Sequence, residues 1–189
     1  MDQPAEEIWS LNCHDRGMIN VSRHIVTDRS WQDLVSLAGF NREGVESGEI
    51  LADEGDVLHA LLYSQLFWPS FIEESSAIFL GVNGNTHARV TERMSDDGRM
   101  KSWSEFVDSF NVIEIEHLFR NAPFYGKDFY AACRSLGQIL IEIWGARLRE
   151  KFPDRRFLLR LVDSDRSMDL RIEVTQAWPD LIPPDGWQV

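Results

Sequence analysis

The sequence predicts an α+β fold: an antiparallel sheet built from a meander at about residues 71–94 and a C-terminal hairpin at about 156–175, packed against a long helix at about 127–152 and several shorter helices. Three observations predict it. Between Lys127 and Phe152, the residues Phe129, Cys133, Leu136, Leu140, Ile143, Trp144, Leu148 and Phe152 recur on one side of a 3.6-residue period. Met168, Leu170, Ile172 and Val174 alternate with Asp169, Arg171 and Glu173, the period of a strand with one buried face. Asn83-Gly84 separates two short apolar runs and suits a type I′ turn, which needs positive φ at both central residues.

Taken along the chain, residues 1–28 have no clear period, although Ile19, Val21 and Ile25 could belong to a short strand. Ser30-Trp-Gln-Asp33 resembles a helix start, with Trp31, Leu34, Val35 and Ala38 on one face and Gly39 able to take the positive φ that ends it. Residues 41–56 hold Glu43, Glu46, Glu49, Asp53, Glu54 and Asp56 against Arg42 alone, and Gly44, Gly48 and Gly55 make this a solvated acidic loop. Asp56 is placed to cap a helix over Val57, Leu58, Leu61, Leu62, Gln65 and Leu66, which Trp68-Pro69 stops.

The meander follows, with strands at Phe71-Ile72, 77–82 and 86–94, turns at 73–76 and Asn83-Gly84, and a further turn at Asp96-Asp97-Gly98. Ser102-Trp-Ser-Glu105 is a capping box opening a helix through Phe106, Val107 and Phe110. Residues 112–120 carry both periods, since Ile113 and Ile115 alternate with acids while Ile115, Leu118 and Phe119 suit a helical turn; helix is the reading adopted. Gly137 and Gly145 interrupt the long helix, each at a cost of about 1 kcal/mol relative to Ala, which points to close packing or a bend. Pro153-Asp154 ends it. In the hairpin of 156–163 and 168–175, one register sets Arg160 opposite Asp169 and Arg156 opposite Glu173. The chain reads as a single domain over 1–189, with 1–28 and 179–189 peripheral and Trp187 available to tack the tail down.

Charge is unevenly placed. Residues 1–120 carry 9 Lys+Arg against 21 Asp+Glu, whereas residues 121–189 carry 10 of each, so the whole net charge of −12 resides in the first part. Such a field attracts cationic partners and repels nucleic acid and anionic lipid. The start of the chain has neither a basic nor an apolar leader, and no run approaches the roughly 20 apolar residues of a membrane span, so a cytoplasmic protein is expected. Cys13 and Cys133 are far apart, with Cys133 on an apolar helix face, and no disulfide is expected.

Candidate chemistry is sparse. Glu114, Glu116 and His117 form an E-x-x-H that on a helix would put a carboxylate and an imidazole on one face, but di-iron sites need a second copy and none exists. His59, His87 and Asp108 are possible further ligands that no spacing assembles. Cys13-His14-Asp15 suggests a thiol and base, yet such partners converge through the fold rather than along a turn. Asp163, Asp165 and Asp169 gather near a hairpin tip without the Gly and Glu of a calcium loop. Phosphate-binding, dinucleotide, zinc-protease, serine-hydrolase and paired-cysteine motifs are missing. Neither metal nor cofactor is expected.

Trp68, Phe71, Trp103, Phe106, Phe124, Tyr125, Phe129 and Tyr130 favour core packing, with Phe124-Tyr125 the pair placed for exposure in a loop. The resulting expectation is an acidic interaction protein that binds a basic protein partner, an immunity-type inhibitor of a cationic toxin being one example. Glu43, Glu46, Glu49, Asp53, Glu54 and Asp56 would speed encounter, while Phe124 and Tyr125 would slow dissociation. The alternative is a small enzyme using His117 with Glu114 and Glu116 in acid/base or metal-assisted chemistry.

Overall fold

Asp56 starts a helix as its side chain suggests: one carboxylate oxygen accepts from the Leu58 N–H at 2.7 Å and the His59 N–H at 3.3 Å, satisfying two of the donors that the first turn leaves open. Helix α1 then runs Val57–Phe67. The computed structural model describes residues 52–53, 55–82, 84–97, 101–121, 127–166 and 168–187. Beyond α1 it holds β1 (Phe71–Glu74), β2 (Ala77–Leu80), α2 (His87–Asp97), α3 (Trp103–Phe110), β3 (Val112–Glu114), the single turn α4 (Ile115–Leu118), α5 (Lys127–Lys151), β4 (Arg156–Val162) and β5 (Arg171–Trp178). The expectations for residues 1–51 lie outside the described residues.

The α+β class and the long helix are as expected; the sheet is not one sheet. β1 and β2 form a two-stranded hairpin, and β3, β5 and β4 form a separate antiparallel sheet in that order. The β1–β2 turn is Ser75-Ser76, both at positive φ (47° and 64°), with Glu74 opposite Ala77. The third meander strand expected at 86–94 is instead α2. Gly84 does take a positive φ of 72°, but the chain leaves it into a helix whose first turn Thr86 caps, its hydroxyl accepting from the Arg89 N–H at 3.2 Å. The residues that follow include the good helix formers Ala88, Arg89, Glu92, Arg93 and Met94, and Val90 and Met94 lie one turn apart facing the core.

The capping box of α3 is formed, with Ser102 N–H donating to Glu105 at 2.8 Å and Glu105 N–H donating to Ser102 at 3.3 Å. Residues 112–120 use both of their periods in succession, strand for β3 and helical turn for α4, which corrects the all-helix reading. In the C-terminal hairpin Arg160 faces Glu173 and Arg156 faces Trp178, so the pairing expected with Asp169 and Glu173 is replaced by one with a longer loop over 163–170. Arg160 and Glu173 meet at 3.1 Å.

Two cores share β2. Ile78 and Leu80 point to one side, against Phe129, Cys133, Leu140, Trp144 and Leu148 of α5 and Ile172 and Val174 of β5. Ala77 and Phe79 point to the other, against Trp103, Phe106, Val107 and Phe110 of α3. Asn111 joins the sheets: its side-chain amide accepts from Leu80 N–H and donates to Ile78 C=O, both at 2.9 Å, while its own carbonyl accepts from Val174 N–H at 3.0 Å. Trp187 pins the tail, edge-on to Trp103 with ring centres 4.9 Å apart and donating to the Lys101 carbonyl at 3.1 Å.

Candidate interaction surface

Helix α1 is apolar nearly all round, Val-Leu-His-Ala-Leu-Leu-Tyr-Ser-Gln-Leu-Phe, and none of its residues is buried. Among the described residues its main anchor is its C-terminal end. Leu66 and Phe67 pack on the first core, and Trp144 Nε1–H donates to the Leu66 carbonyl at 2.7 Å. Tyr63 meets the Phe119 ring at 5.9 Å. The side chains that the helical spacing would send inward are instead in solvent: Val57 is 73% exposed, Leu58 67%, Leu61 62% and Leu62 65%. Beyond them Trp68 is 57% exposed, with the Arg147 guanidinium 3.9 Å from its ring centre.

Carboxylates stand at the opposite end of α1. Asp53 and Asp56 are both exposed. The backbone N–H groups of Leu58 and His59 hold the Asp56 carboxyl below its ordinary range, so it is charged at neutral pH. His59 lies 3.5 Å away. Glu43, Glu46, Glu49, Glu54, Phe124 and Tyr125, the rest of the expected partner-binding set, lie outside the described residues.

Among the described residues, five of the ten cations of the C-terminal third are paired with carboxylates within the fold. Arg134 pairs with Asp163 and Arg155 with Glu73. Arg160 holds Glu173, Arg147 holds Glu150 at 3.3 Å, and Arg171 bridges Glu173 at 2.9 Å and Asp165 at 3.1 Å. This explains the carboxylates of the 163–170 loop, which secure cations and the turn: Asp165 also accepts from the Met168 N–H at 3.1 Å, and Asp163 from the Tyr130 hydroxyl at 3.0 Å.

Glu114, Glu116 and His117 are close in sequence, but the imidazole parts from the two carboxylates in space. Glu114 accepts from the Asp169 N–H at 3.2 Å. Glu116 accepts from the Ser164 hydroxyl at 2.8 Å and the Leu170 N–H at 3.1 Å, so both carboxylates fasten the loop between β4 and β5. His117 is exposed, its Nε2 2.6 Å from the Arg120 guanidinium, on an open recess of about 430 Å³ lined by His117, Leu118, Arg120 and Asn121. Arginine only donates, so Nε2 accepts there. Glu114 belongs to β3 rather than to a helix, which breaks the geometry that E-x-x-H requires.

Among the described residues no group of three or more His, Cys, Asp or Glu side chains is placed to hold a metal ion. Burial, reinforced by the Glu116 charge, pushes the Cys133 thiol up to about 11, far from the range of a working nucleophile. Cys13-His14-Asp15 lies outside the described residues.

Trp103, Phe106 and Phe129 are buried as expected of core aromatics, whereas Trp68, expected in the core with them, is exposed because the chain turns at Trp68-Pro69 and leaves its ring under Arg147. The exposed α1 face is what the sequence reading missed, and its signal was the missing polar stripe in Val57–Phe67. No helix among the described residues is long and apolar enough to cross a membrane. Comparison with known proteins finds no match to this chain among family models, curated proteins or solved structures.

Proposed function

We propose that this chain is an acidic interaction protein whose partner is a basic protein, an inhibitor that neutralises a cationic enzyme being one form of that role. The observation that carries the reading is the placement of charge. The C-terminal third is balanced in composition, and its Arg134, Arg147, Arg155, Arg160 and Arg171 are tied into ion pairs, mostly with carboxylates of the same third. The first 120 residues keep an excess of 12 negative charges, with Asp53 and Asp56 exposed at the start of α1. A single-sign field of this kind raises the encounter rate with a cation and disfavours nucleic acid.

The test is an affinity capture at about 50 mM salt, identification of the captured protein, and association kinetics of that protein at about 50 mM and about 500 mM salt. The proposal expects an association rate that falls steeply with salt. A rate equal at the two salts refutes it. Asp56→Asn keeps the helix cap and removes the charge, so it should slow association at a small cost in melting temperature, whereas Asp56→Ala also loses the cap and should lower the melting temperature further.

A further inference from the structure

We infer that α1 is the seat for one amphipathic helix of the cationic partner, its apolar stripe on the Val57, Leu58, Leu61 and Leu62 face and its cations toward Asp53 and Asp56. The inference rests on the basic-partner reading above and adds where and by what shape the partner is held. At 100° per residue these four side chains span about 140° of the helix surface, in two parallel rows, Val57–Leu61 and Leu58–Leu62. Rows four residues apart leave a groove that accepts the matching ridge of another helix. Among the described residues nothing covers them.

The occupant's shape follows from the backbone. Along its length α1 satisfies its own N–H and C=O groups, so its face offers an incoming chain no main-chain partners. A segment buried there must satisfy its own backbone, as a helix does and an extended peptide does not. The occupant's charge follows from the ends of the face. Asp53 and Asp56 stand at the start of α1, where a partner's Lys or Arg gains; Arg147 lies over Trp68 at the far end, where a second cation would be repelled. The partner helix therefore carries its cations at one end rather than along its whole length.

The probe is a synthetic peptide of about 14 residues, long enough to cross α1, with Leu at helical spacing and Lys clustered at one end. Its controls are a scrambled peptide of the same composition and a version with Glu for Lys. The full chain is compared with Leu58→Gln/Leu62→Gln, substitutions of exposed residues by a good helix former. The expected result is salt-sensitive binding of the patterned Lys peptide, weakened about tenfold or more by the double substitution at unchanged melting temperature, with the scrambled and Glu peptides weaker on the wild type.

Equal affinity of the patterned peptide for wild type and variant overturns the inference while leaving the basic-partner reading standing. Failure of both Lys peptides to bind, even at low salt, counts against that reading itself. A wild-type dimer in sedimentation that the double substitution makes monomeric overturns the inference in favour of a second copy on this face. A melting temperature lowered by several degrees in the variant overturns it in favour of residues 1–51 of the same chain.

Discussion

Replacing Asn111 by Ala should destabilise the protein more than any conservative change on its surface. Asn111 is 2% exposed and occupies the seam between the two sheets. Its amide gives the β2 backbone what a neighbouring strand would have given, an acceptor for Leu80 N–H and a donor for Ile78 C=O. Leu80 and Ile78 are themselves 1% and 2% exposed, so water cannot take over either role without opening the core. A buried polar group left unsatisfied costs roughly 1–3 kcal/mol, and two of them about 2–6 kcal/mol, against a total stability of about 5–15 kcal/mol for a domain. Asn111→Asp keeps the acceptor but sets a carboxylate against the Ile78 carbonyl, so it should not rescue. The assay is urea denaturation followed by tryptophan fluorescence. The expected midpoint shift is about 1 M or more with an unchanged slope. A loss under about 1 kcal/mol would refute the claim that this side chain substitutes for a strand.

Three further outcomes follow from the same geometry. A Cβ on Gly145 would meet nothing closer than Arg149 Nη1 at 3.4 Å, while one on Gly137 would lie 2.6 Å from both Ile115 Cδ1 and Leu161 Cδ1. Gly145→Ala should therefore gain up to about 1 kcal/mol from helix propensity, and Gly137→Ala should lose stability because overpacking outweighs that gain; paired thermal melts decide. In a Cys13→Ser background the buried Cys133 thiol should stay unreactive toward an aromatic disulfide reagent at about pH 8 until the protein unfolds, and rapid reaction of the native protein would contradict its placement. Burial, with help from the Glu173 charge, raises the Asp108 carboxyl above its ordinary 3.8 despite the Thr175 hydrogen bond and Arg160. The native state thus holds that proton more tightly than the unfolded chain, so this group's contribution to stability declines as pH rises from 3.8 through its native value. Asp108→Asn should raise the melting temperature at about pH 7 and have no such effect at about pH 3.

What was legible in the sequence was what local chemistry decides. The Asp56 cap, the Ser102–Glu105 box and the span of α5 follow from neighbouring residues and stand where the pattern puts them. The turn expected over 73–76 narrows to Ser75-Ser76, because Glu73 and Glu74 pair with Ile78 and Ala77 in the hairpin. The α2 region shows a local signal outranked by its successors: Gly84 turns the chain, but Thr86 and the helix formers after it decide what is entered. The division into two sheets and the hairpin register depend on contacts between distant segments, and Asn111 has no signature at all until β2 and β5 are placed beside it. For the candidate surface, counting carboxylates gives the sign of the field, from which the basic partner is proposed. Apolar spacing in Val57–Phe67 identified a helix, but spacing does not say which neighbour, if any, covers it.

The charge and the apolar face act at different stages of binding, and that separates their consequences. A long-range field works while the partners are still apart, so its loss through Asp56→Asn or added salt acts on association. The contacts of Val57, Leu58, Leu61 and Leu62 exist only after water has left the face, so their loss acts on dissociation. The fold keeps the two apart as well. Asp56 would remain a capping residue without its charge, as Asn, and Leu58 and Leu62 support no described core, so each contribution can be removed while the molecule stays folded. A partner held by charge alone would lose its attachment wholly in high salt. One that seats a helix on α1 should instead bind slowly there and still leave slowly, and this pairing of a salt-dependent on-rate with a salt-tolerant off-rate is what the juxtaposition of Asp53 and Asp56 with an apolar helix produces.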